Sequence, residues 1–512
     1  MLVKTYGSAV FGIDATPITI EVNIGKGISF ILVGLPDSAV KESQQRIKAA
    51  LTNNGYKYPM KEITVNMAPA DIRKEGSTFD LPIGIGIMAA SEQVKTDHLE
   101  DYVLLGELSL DGSLKPMKGI LPIALKAKSE GYKGIILPKE NAREAAIVEG
   151  IDVYGVESIN EVVDFLNNDS NLDPVKVDLN DEFFDKLDEI GVDFKDVKGQ
   201  QNIKRAFEIA ASGGHNVVLI GPPGAGKSML AKRLPTILPP MSIDESLETT
   251  KIHSVAGKVD AGSGLVTNRP FRKPHHTISD VALVGGGGYP QPGEISLAHN
   301  GVLFLDELPE YKRSVLEVMR QPIEDRQVTI SRAKFTVEYP AGFMLVAAMN
   351  PCPCGYYNHP EKDCVCAPGI VQNYLNKISG PLLDRIDLHV EVTPVSFDEL
   401  AHDQPTEKSR DIRERVVQAR LIQEKRFQNS KETHCNAQMS SRELRTYCKI
   451  DESCNAILKQ AMDNLGLSAR AYDRILKVAR TIADLDSADY IQTQHIAEAI
   501  QFRNLDREDW AK

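Results

Sequence analysis

The sequence predicts an α/β fold: a parallel-sheet core followed by helices and preceded by a separate α/β module. Three observations carry the prediction. Asn216-Val217-Val218-Leu219-Ile220 is a short apolar run suited to a buried parallel strand, and it leads through a glycine-rich octet into the helical stretch Met229 to Leu234. Gly301-Val302-Leu303-Phe304-Leu305 is a second such run and ends in Asp306 and Glu307. Residues 1 to 168 alternate short β-like runs with amphipathic helices, as an α/β unit of their own would.

The octet is Gly221-Pro222-Pro223-Gly224-Ala225-Gly226-Lys227-Ser228. Its glycines permit a tight turn whose backbone N–H groups converge on phosphate oxygens, and the following helix points its positive end at them. Lys227 then reaches the β- and γ-phosphates and Ser228 holds Mg²⁺. The strand before and the helix after separate this reading from an ordinary Gly-rich turn. Asp306, delivered by its strand, completes the Mg²⁺ shell, and Glu307 is placed to polarise an attacking water. The next apolar run, Phe343 to Met349, ends in Asn350, suited to orienting that water or sensing the γ-phosphate. An Asn after a strand is commonly a cap or turn residue, so its assignment rests on the order of elements. The expected chemistry is binding and hydrolysis of a nucleoside triphosphate.

Composition sets the bounds. With 512 residues, of which 42% are hydrophobic, the chain suggests about three domains, each with a real core. The longest apolar runs, such as Ile83 to Ala90, fall short of the roughly 18 residues that cross a bilayer, and Met1-Leu2-Val3-Lys4-Thr5 opens no signal peptide. A soluble cytoplasmic protein with no membrane partner is expected. The net charge of −12 argues against nonspecific coating of DNA, so any nucleic acid must meet local basic loops. Four of the seven cysteines crowd into one segment, as in a metal or redox device rather than a secreted disulfide framework.

In chain order, Ile18 to Ile24 alternates at period two, and Ser38 to Thr52 has helical spacing. Leu104 to Leu114 reads as a hairpin turning at Asp111-Gly112, followed by a helix from about Pro122 to Glu130 and a strand at Gly134 to Pro138. With Glu75-Gly76-Ser77-Thr78-Phe79-Asp80-Leu81-Pro82 upstream, this order resembles the protease domain of Lon, a ribosomal S5 domain 2-like fold, and the related module of the RadA recombination protein. The resemblance implies a Ser-Lys peptidase, but it places the nucleophile on Thr78 and the base on Leu121. A leucine takes no proton, so residues 1–168 are expected to be a non-catalytic member of that fold.

Residues 169–190 are polar and acidic and read as a linker. Asp193 to Gln200 resembles the opening of an AAA+ module, a P-loop NTPase core with a helical lid. That resemblance implies residues 191–395 for the core and 396–512 for the lid. It also implies that the turn holding Val197 and Gly199 packs against adenine, which favours ATP over GTP. Ser379-Gly380-Pro381-Leu382-Leu383-Asp384-Arg385-Ile386-Asp387-Leu388 resembles the trans-acting arginine motif of magnesium chelatase ATPase subunits and MCM helicases. Arg385 then reaches the ATP of a neighbouring subunit, and a ring follows; the alternative is a salt bridge to Asp384 or Asp387. Asp411 to Arg426, Ser440 to Leu465 and Ala469 to Leu485 have helical spacing. The last opens where AAA+ lids carry an arginine that contacts the γ-phosphate in cis; Arg470 aligns best, and Arg474 is the alternative.

About seventy residues separate the two phosphate motifs, an insertion long enough to be functional. Arg269, Arg272 and Lys273 beside Phe271 combine charge with an aromatic platform, as a strand-binding loop does; a loop packed on a neighbouring subunit is the alternative. Gly285 to Gly288, with Tyr289, reads as flexible. Gln327 to Val337 reads as two strands around a short turn, and its resemblance to the pore hairpin of AAA+ helicases puts Arg332 and Lys334 on backbone phosphates. His275-His276 invites a metal reading, but adjacent histidines face different ways and no third ligand is near in sequence. Cys352 and Cys354, then Cys364 and Cys366, form two Cys-x-Cys pairs within 352–366 that close a Cys₄ zinc site, stand as free thiols or make a redox pair. His359 is a substitute ligand.

Taken whole, the chain resembles the magnesium-chelatase-like AAA+ ATPases of the YifB or ComM family. The Pro274-His275-His276, Asn350-Pro351-Cys352-Pro353-Cys354-Gly355 and Lys377 to Asp387 segments carry the resemblance. It implies a homohexameric ring, ATP and Mg²⁺ as cofactors, and a helicase that drives branch migration on single-stranded or branched DNA. The alternatives are a metal-chelatase motor subunit and a protein-remodelling ATPase.

Overall fold

A computed structural model describes residues 1–74, 76–179, 183, 191–260, 264–288, 290–332, 335–357, 359, 361–394, 406–430 and 432–503. The chain divides into two units, Met1–Lys186 with Ser242–Thr267, and Leu187–Met241 with Asn268–Lys512. Glu75, Tyr289, Lys334, residues 180–182 and 184–190 of the acidic linker, and the expected boundary at 395/396 lie outside the described residues.

The first unit is built on a seven-stranded sheet. Its strands are β1 (Leu2–Phe11), β2 (Asp14–Gly25), β3 (Phe30–Val33), β4 (Glu62–Ala68), β5 (Tyr102–Leu104), β8 (Gly134–Pro138) and β9 (Asp152–Val156), in the order β3-β4-β2-β1-β5-β8-β9. The short hairpin of β6 (Glu107–Leu108) and β7 (Leu114–Lys115) stands apart and turns through Asp111-Gly112, where Gly112 has φ +85°. The period-two run buries Ile18, Ile20 and Val22 on one face of β2. Helix α1 (Ser38–Asn53) starts at Asp37, whose carboxylate accepts from Val40 N at 2.8 Å. Helix α2 (Asp80–Ala90) is buried on every side, so it shows no amphipathic period, and its Asp80 is paired with Arg46 at 2.6 Å.

Leu121, standing where the Lon lysine would fall, is fully buried in helix α3 (Ile120–Glu130), its N–H donating to Glu144 Oε1 at 3.0 Å. Packed on α3 is the helix Ile243–Ala256, which follows the phosphate loop in sequence yet belongs to this unit. Ser242 and Glu245 form its capping box, Ser254 O accepts from Gly119 N at 3.1 Å, and Ser246, Thr249, Thr250 and Ser254 are buried. The long insertion is therefore divided: residues 242–267 complete the first unit, and only the remainder stays with the second.

The second unit centres on a parallel sheet of β10 (Val217–Ile220), β11 (Phe271–Arg272), β14 (Val302–Leu305), β17 (Met344–Met349) and β18 (Leu388–Glu391), in the order β11-β14-β17-β10-β18. β10, β14 and β17 are buried along their full length. Two antiparallel pairs stand apart from it, β12 (Gly285–Gly286) with β13 (Gln291–Pro292), and β15 (Gln327–Arg332) with β16 (Phe335–Pro340). The helices Ser409–Phe427, Ser441–Tyr447, Glu452–Leu465, Ala469–Leu485 and Thr493–Gln501 form the C-terminal part. The single helix expected over Ser440–Leu465 is two, because Asp451 accepts from Cys454 N at 2.8 Å and caps a new start. Arg426 clasps Asp484 at 2.5 Å, and Gln423 Nε2 donates to Ser212 O at 3.0 Å, fastening this part to the helix Gln201–Gly213.

Candidate nucleotide site

The phosphate loop lies at the C-terminal end of β10, where parallel sheets place their ligand crevices. Gly221 is required by close approach: a Cβ there would lie 2.2 Å from Val392 O. Gly226, at φ +84°, turns the chain into the helix Lys227–Arg233. Pro222, Pro223, Gly224 and Ala225 complete the turn, and Ala225 O accepts from Gln200 Nε2 at 3.0 Å. Gln200 also reaches Thr393 O at 3.3 Å, so it ties the Val197–Gly199 turn to the phosphate loop. Val197 is buried in the core, its carbonyl accepts from Lys204 Nζ at 2.8 Å, and Gly199 has φ +63°.

Lys227 Nζ donates to Gly221 O at 2.6 Å, Pro222 O at 2.9 Å and Asn350 Oδ1 at 3.1 Å. Burial pushes its ammonium pKa down to about 8, with Asp306 pulling the other way. Ser228 Oγ donates to Asp306 Oδ2 at 2.7 Å, so two oxygens suited to a hard divalent cation are adjacent. Burial raises the Asp306 pKa, but hydrogen bonds from Lys273 and Ser228 outweigh it and hold the carboxyl below its usual range. Glu307 is carried on a left-handed turn, φ +55°, and pairs with His276 Nδ1 at 3.1 Å. The structure thus brings together Lys227, Ser228, Asp306, Glu307 and Asn350, and adds Gln200, Lys273 and His276, which sequence reading did not assign to this site.

Lys273, expected to contact nucleic acid, has its ammonium 2.8 Å from Asp306 Oδ2. Arg272 forms a two-pronged pair with Glu294 at 2.6 and 2.7 Å, and Arg269 donates to the carbonyls of Pro239, Pro240 and Asn300. Phe271 stacks on Phe304 at 5.9 Å. The segment includes the edge strand β11 of the parallel sheet, its charges held by their own chain. Arg332 ends β15.

Arg385 follows the helix Gly380–Leu383 and precedes β18, at the N-terminal edge of the sheet. Its guanidinium donates to Pro381 O at 2.6 Å and pairs with Glu324 at 2.9 Å, while its buried Nε has no acceptor among the described residues. The expected salt-bridge alternatives, Asp384 and Asp387, are occupied by others. Arg470 lies 3.6 Å from Asp384 and is 65% exposed, whereas Arg474 binds the buried Asp387 at 2.9 Å. Asp387 also accepts from Asn216 N at 3.1 Å and lies 3.2 Å from His215 Nδ1. Burial opposes its ionisation, yet Arg474 and His215 hold the carboxyl well below the usual range.

The lid arginine was expected at its own chain's γ-phosphate. Instead the helix Ala469–Leu485 opens beside Asp384 and Asp387, next to the start of β10, while the phosphate loop follows the strand's other end. Four residues of strand put roughly 13 Å between those ends.

The cysteine segment follows Asn350 directly. Cys352, Cys354, Cys364 and Cys366 each offer a sulfur within 4.8 Å of the others, with Cys352 Sγ 3.3 Å from Cys354 Sγ and 3.7 Å from Cys364 Sγ. His359 instead accepts the backbone N–H groups of Glu361 and Lys362 on Nδ1. Among the described residues, His275 and His276 join no such cluster; their rings face each other at 4.1 Å.

Comparisons with known proteins agree with this anatomy. Residues 193–400 match the family model of magnesium chelatase subunit ChlI, residues 20–141 that of subunit ChlI of Mg-chelatase, and residues 406–503 that of the ChlI C-terminal region. The chain is 44% identical over 504 residues to the uncharacterized protein YifB of Salmonella typhimurium, covering 98% of this chain and 96% of that protein. It is likewise 44% identical over 508 residues to the competence protein ComM of Haemophilus influenzae, covering 99% and 98%. Over 149 residues it is 29% identical to Lon protease 2 of Bacillus subtilis, 28% of this chain and 26% of that one. The chain belongs to the magnesium-chelatase-like AAA+ family of YifB and ComM.

Proposed function

We propose that this protein is an ATP-driven motor, working as a homohexameric ring that moves single-stranded or branched DNA. The observation that carries the ring is the position of Arg385. It stands at the N-terminal edge of a parallel sheet whose opposite end holds the phosphate loop, so it serves the nucleotide of another copy rather than its own. Arg470, exposed beside Asp384, faces the same neighbour. Glu324, half exposed, is an anionic partner that Arg385 exchanges for a γ-phosphate.

In the hydrolytic step Lys227 trades its carbonyl acceptors for the β- and γ-phosphates. Ser228 and Asp306 would hold Mg²⁺, which would supply charge neutralisation as the γ-phosphoryl group passes to water and ADP leaves. Glu307, freed from His276, accepts the proton of the attacking water that Asn350 orients, and Arg385 from the next copy stabilises the charge on the transferred group. The N-terminal unit takes no part in this chemistry.

Zn²⁺ fits the cysteine site. Four sulfurs each about 2.3 Å from one ion lie about 3.8 Å apart; those of Cys352, Cys354 and Cys364 are 3.3 to 3.7 Å apart, and that of Cys366 is within 4.8 Å of them.

DNA as the load is supported by the competence protein among the relatives and by the antiparallel β15–β16 pair. The test is ATP turnover with and without forked DNA, alongside retardation at low salt. Stimulation that grows with strand length supports the reading; unchanged turnover and no retardation overturn it in favour of a chelatase motor or protein remodeller.

A further inference from the structure

The cysteine segment has almost no core of its own. Within its hydrophobic cluster only Cys352 and Val371 are fully buried, with Cys354, Tyr357, Cys364, Cys366 and Leu375 partly so. A cluster this small does not hold a loop in one place unaided, whereas four thiolates closing on one ion do. The two cysteine pairs also sit at telling places in the chain. Cys352 and Cys354 directly follow Asn350, and Cys364 and Cys366 directly precede the helix Pro368–Leu375. An ion bound by all four therefore fixes the strand end that carries Asn350 to the start of that helix.

Three contacts carry this fixation to the nucleotide site. Gly355 packs against the phosphate loop so closely that a Cβ there would lie 2.4 Å from Pro223 Cδ. Tyr374, near the end of the helix Pro368–Leu375, has its ring beside the backbone of Asn350. Asn350 Oδ1 in turn accepts from Lys227 Nζ at 3.1 Å. The cysteine segment thus touches the phosphate loop on its proline side and, through Asn350, on its lysine side.

We propose that the ion held by these four thiolates, Zn²⁺ by ligand chemistry, is the brace of the ATP site, so that metal loading sets nucleotide affinity and turnover. This rests on the ATPase reading above and adds to it a dependence on a second metal that never meets the phosphates. Mg²⁺ does not substitute, because thiolate ligands select the softer ion.

The test uses the full chain purified under reducing conditions, its bound zinc counted, then stripped with a high-affinity chelator and reloaded. A fluorescent ADP analogue reports affinity, and phosphate release reports turnover. Stripping should weaken nucleotide binding at least tenfold and lower turnover by as much, and Zn²⁺ alone should restore both in the presence of constant Mg²⁺. Because Cys364→Ser removes a ligand and with it the fold of the loop, Gly355→Val is the second variant: all four ligands remain although Gly355 has φ +86°, so its zinc is counted first, and the zinc-loaded variant should bind nucleotide several-fold more weakly. Stripped protein that binds and hydrolyses nucleotide as the loaded protein does, or a chain that takes up neither Zn²⁺ nor Co²⁺, overturns the brace. Gly355→Val with unchanged affinity overturns it too. Zinc-loaded wild-type protein that binds no nucleotide overturns the ATPase reading instead.

Discussion

Lys273 Nζ lies 2.8 Å from Asp306 Oδ2, the same oxygen that accepts the Ser228 hydroxyl at 2.7 Å. Two cations, the Lys273 ammonium and a Mg²⁺ ion beside Ser228, would thus compete for one carboxylate. A partly exposed pair of this kind contributes at most about 1 kcal/mol, which is about fivefold in affinity. Lys273→Met should therefore lower the Mg²⁺ concentration that half-saturates turnover by up to that factor. A Mg²⁺ titration of phosphate release checks it; a raised requirement would make Lys273 a ligand of the nucleotide rather than a competitor.

The depressed Lys227 pKa, about 8, fixes a pH dependence of binding. Phosphates bind the ammonium form and raise its pKa, so the complex holds a proton that the free protein loses above that value. Affinity should be level below pH 8 and fall as pH rises beyond it, by up to tenfold per unit, with proton uptake on binding at pH 9. Calorimetry in buffers of different ionisation heat measures the uptake directly, and Lys227→Met should abolish it.

Removing the arginine that serves the next copy should stop chemistry without stopping binding. Arg385→Ala is expected to lose about a thousandfold in turnover while holding nucleotide as the parent does. Mixing it with Glu307→Gln, itself inactive, should recover part of the activity, since mixed assemblies place an intact Arg385 against an intact Glu307. No recovery at any ratio would refute a shared site.

Two arginines one helical turn apart should behave in opposite ways. Arg474 neutralises the buried Asp387, so Arg474→Ala leaves that carboxylate exposed to burial without its main partner, at a cost of about 3 kcal/mol and several degrees in Tm. Arg470 is 65% exposed, so Arg470→Ala should leave Tm in place and lower turnover. Thermal melts beside kinetics separate them.

The nucleotide motifs were legible because each is contiguous and follows a buried strand, so motif and order of elements together pointed to Lys227, Ser228, Asp306, Glu307 and Asn350 at one end of the sheet. The partners of the basic segment were not legible, for the opposite reason. Arg272 and Lys273 find their partners 22 and 33 residues away, in Glu294 and Asp306, and a basic cluster looks the same in sequence whether it faces its own chain or a phosphate backbone. Arg470 was assigned to the wrong end of the sheet because the motif gives a helix start but not its direction. The helix Ile243–Ala256 was missed as part of the first unit because its buried face is largely hydroxylic, Ser246, Thr249, Thr250 and Ser254, and carries little apolar signal.

That helix has a consequence for how the protein is made. Residues 242–267 finish a unit that began at Met1, so a ribosome has already released β10 and the phosphate loop before the first unit has all its chain. The two units cannot be completed strictly one after the other during synthesis, as domains strung in series are. Nor can either be cut out as a single stretch of gene: a fragment ending at 186 lacks a buried helix, and a motor fragment starting at 187 carries a stray piece of its neighbour. Ancestors that gained or lost the N-terminal module would have needed two coordinated joints, and a chimera built today needs the same two.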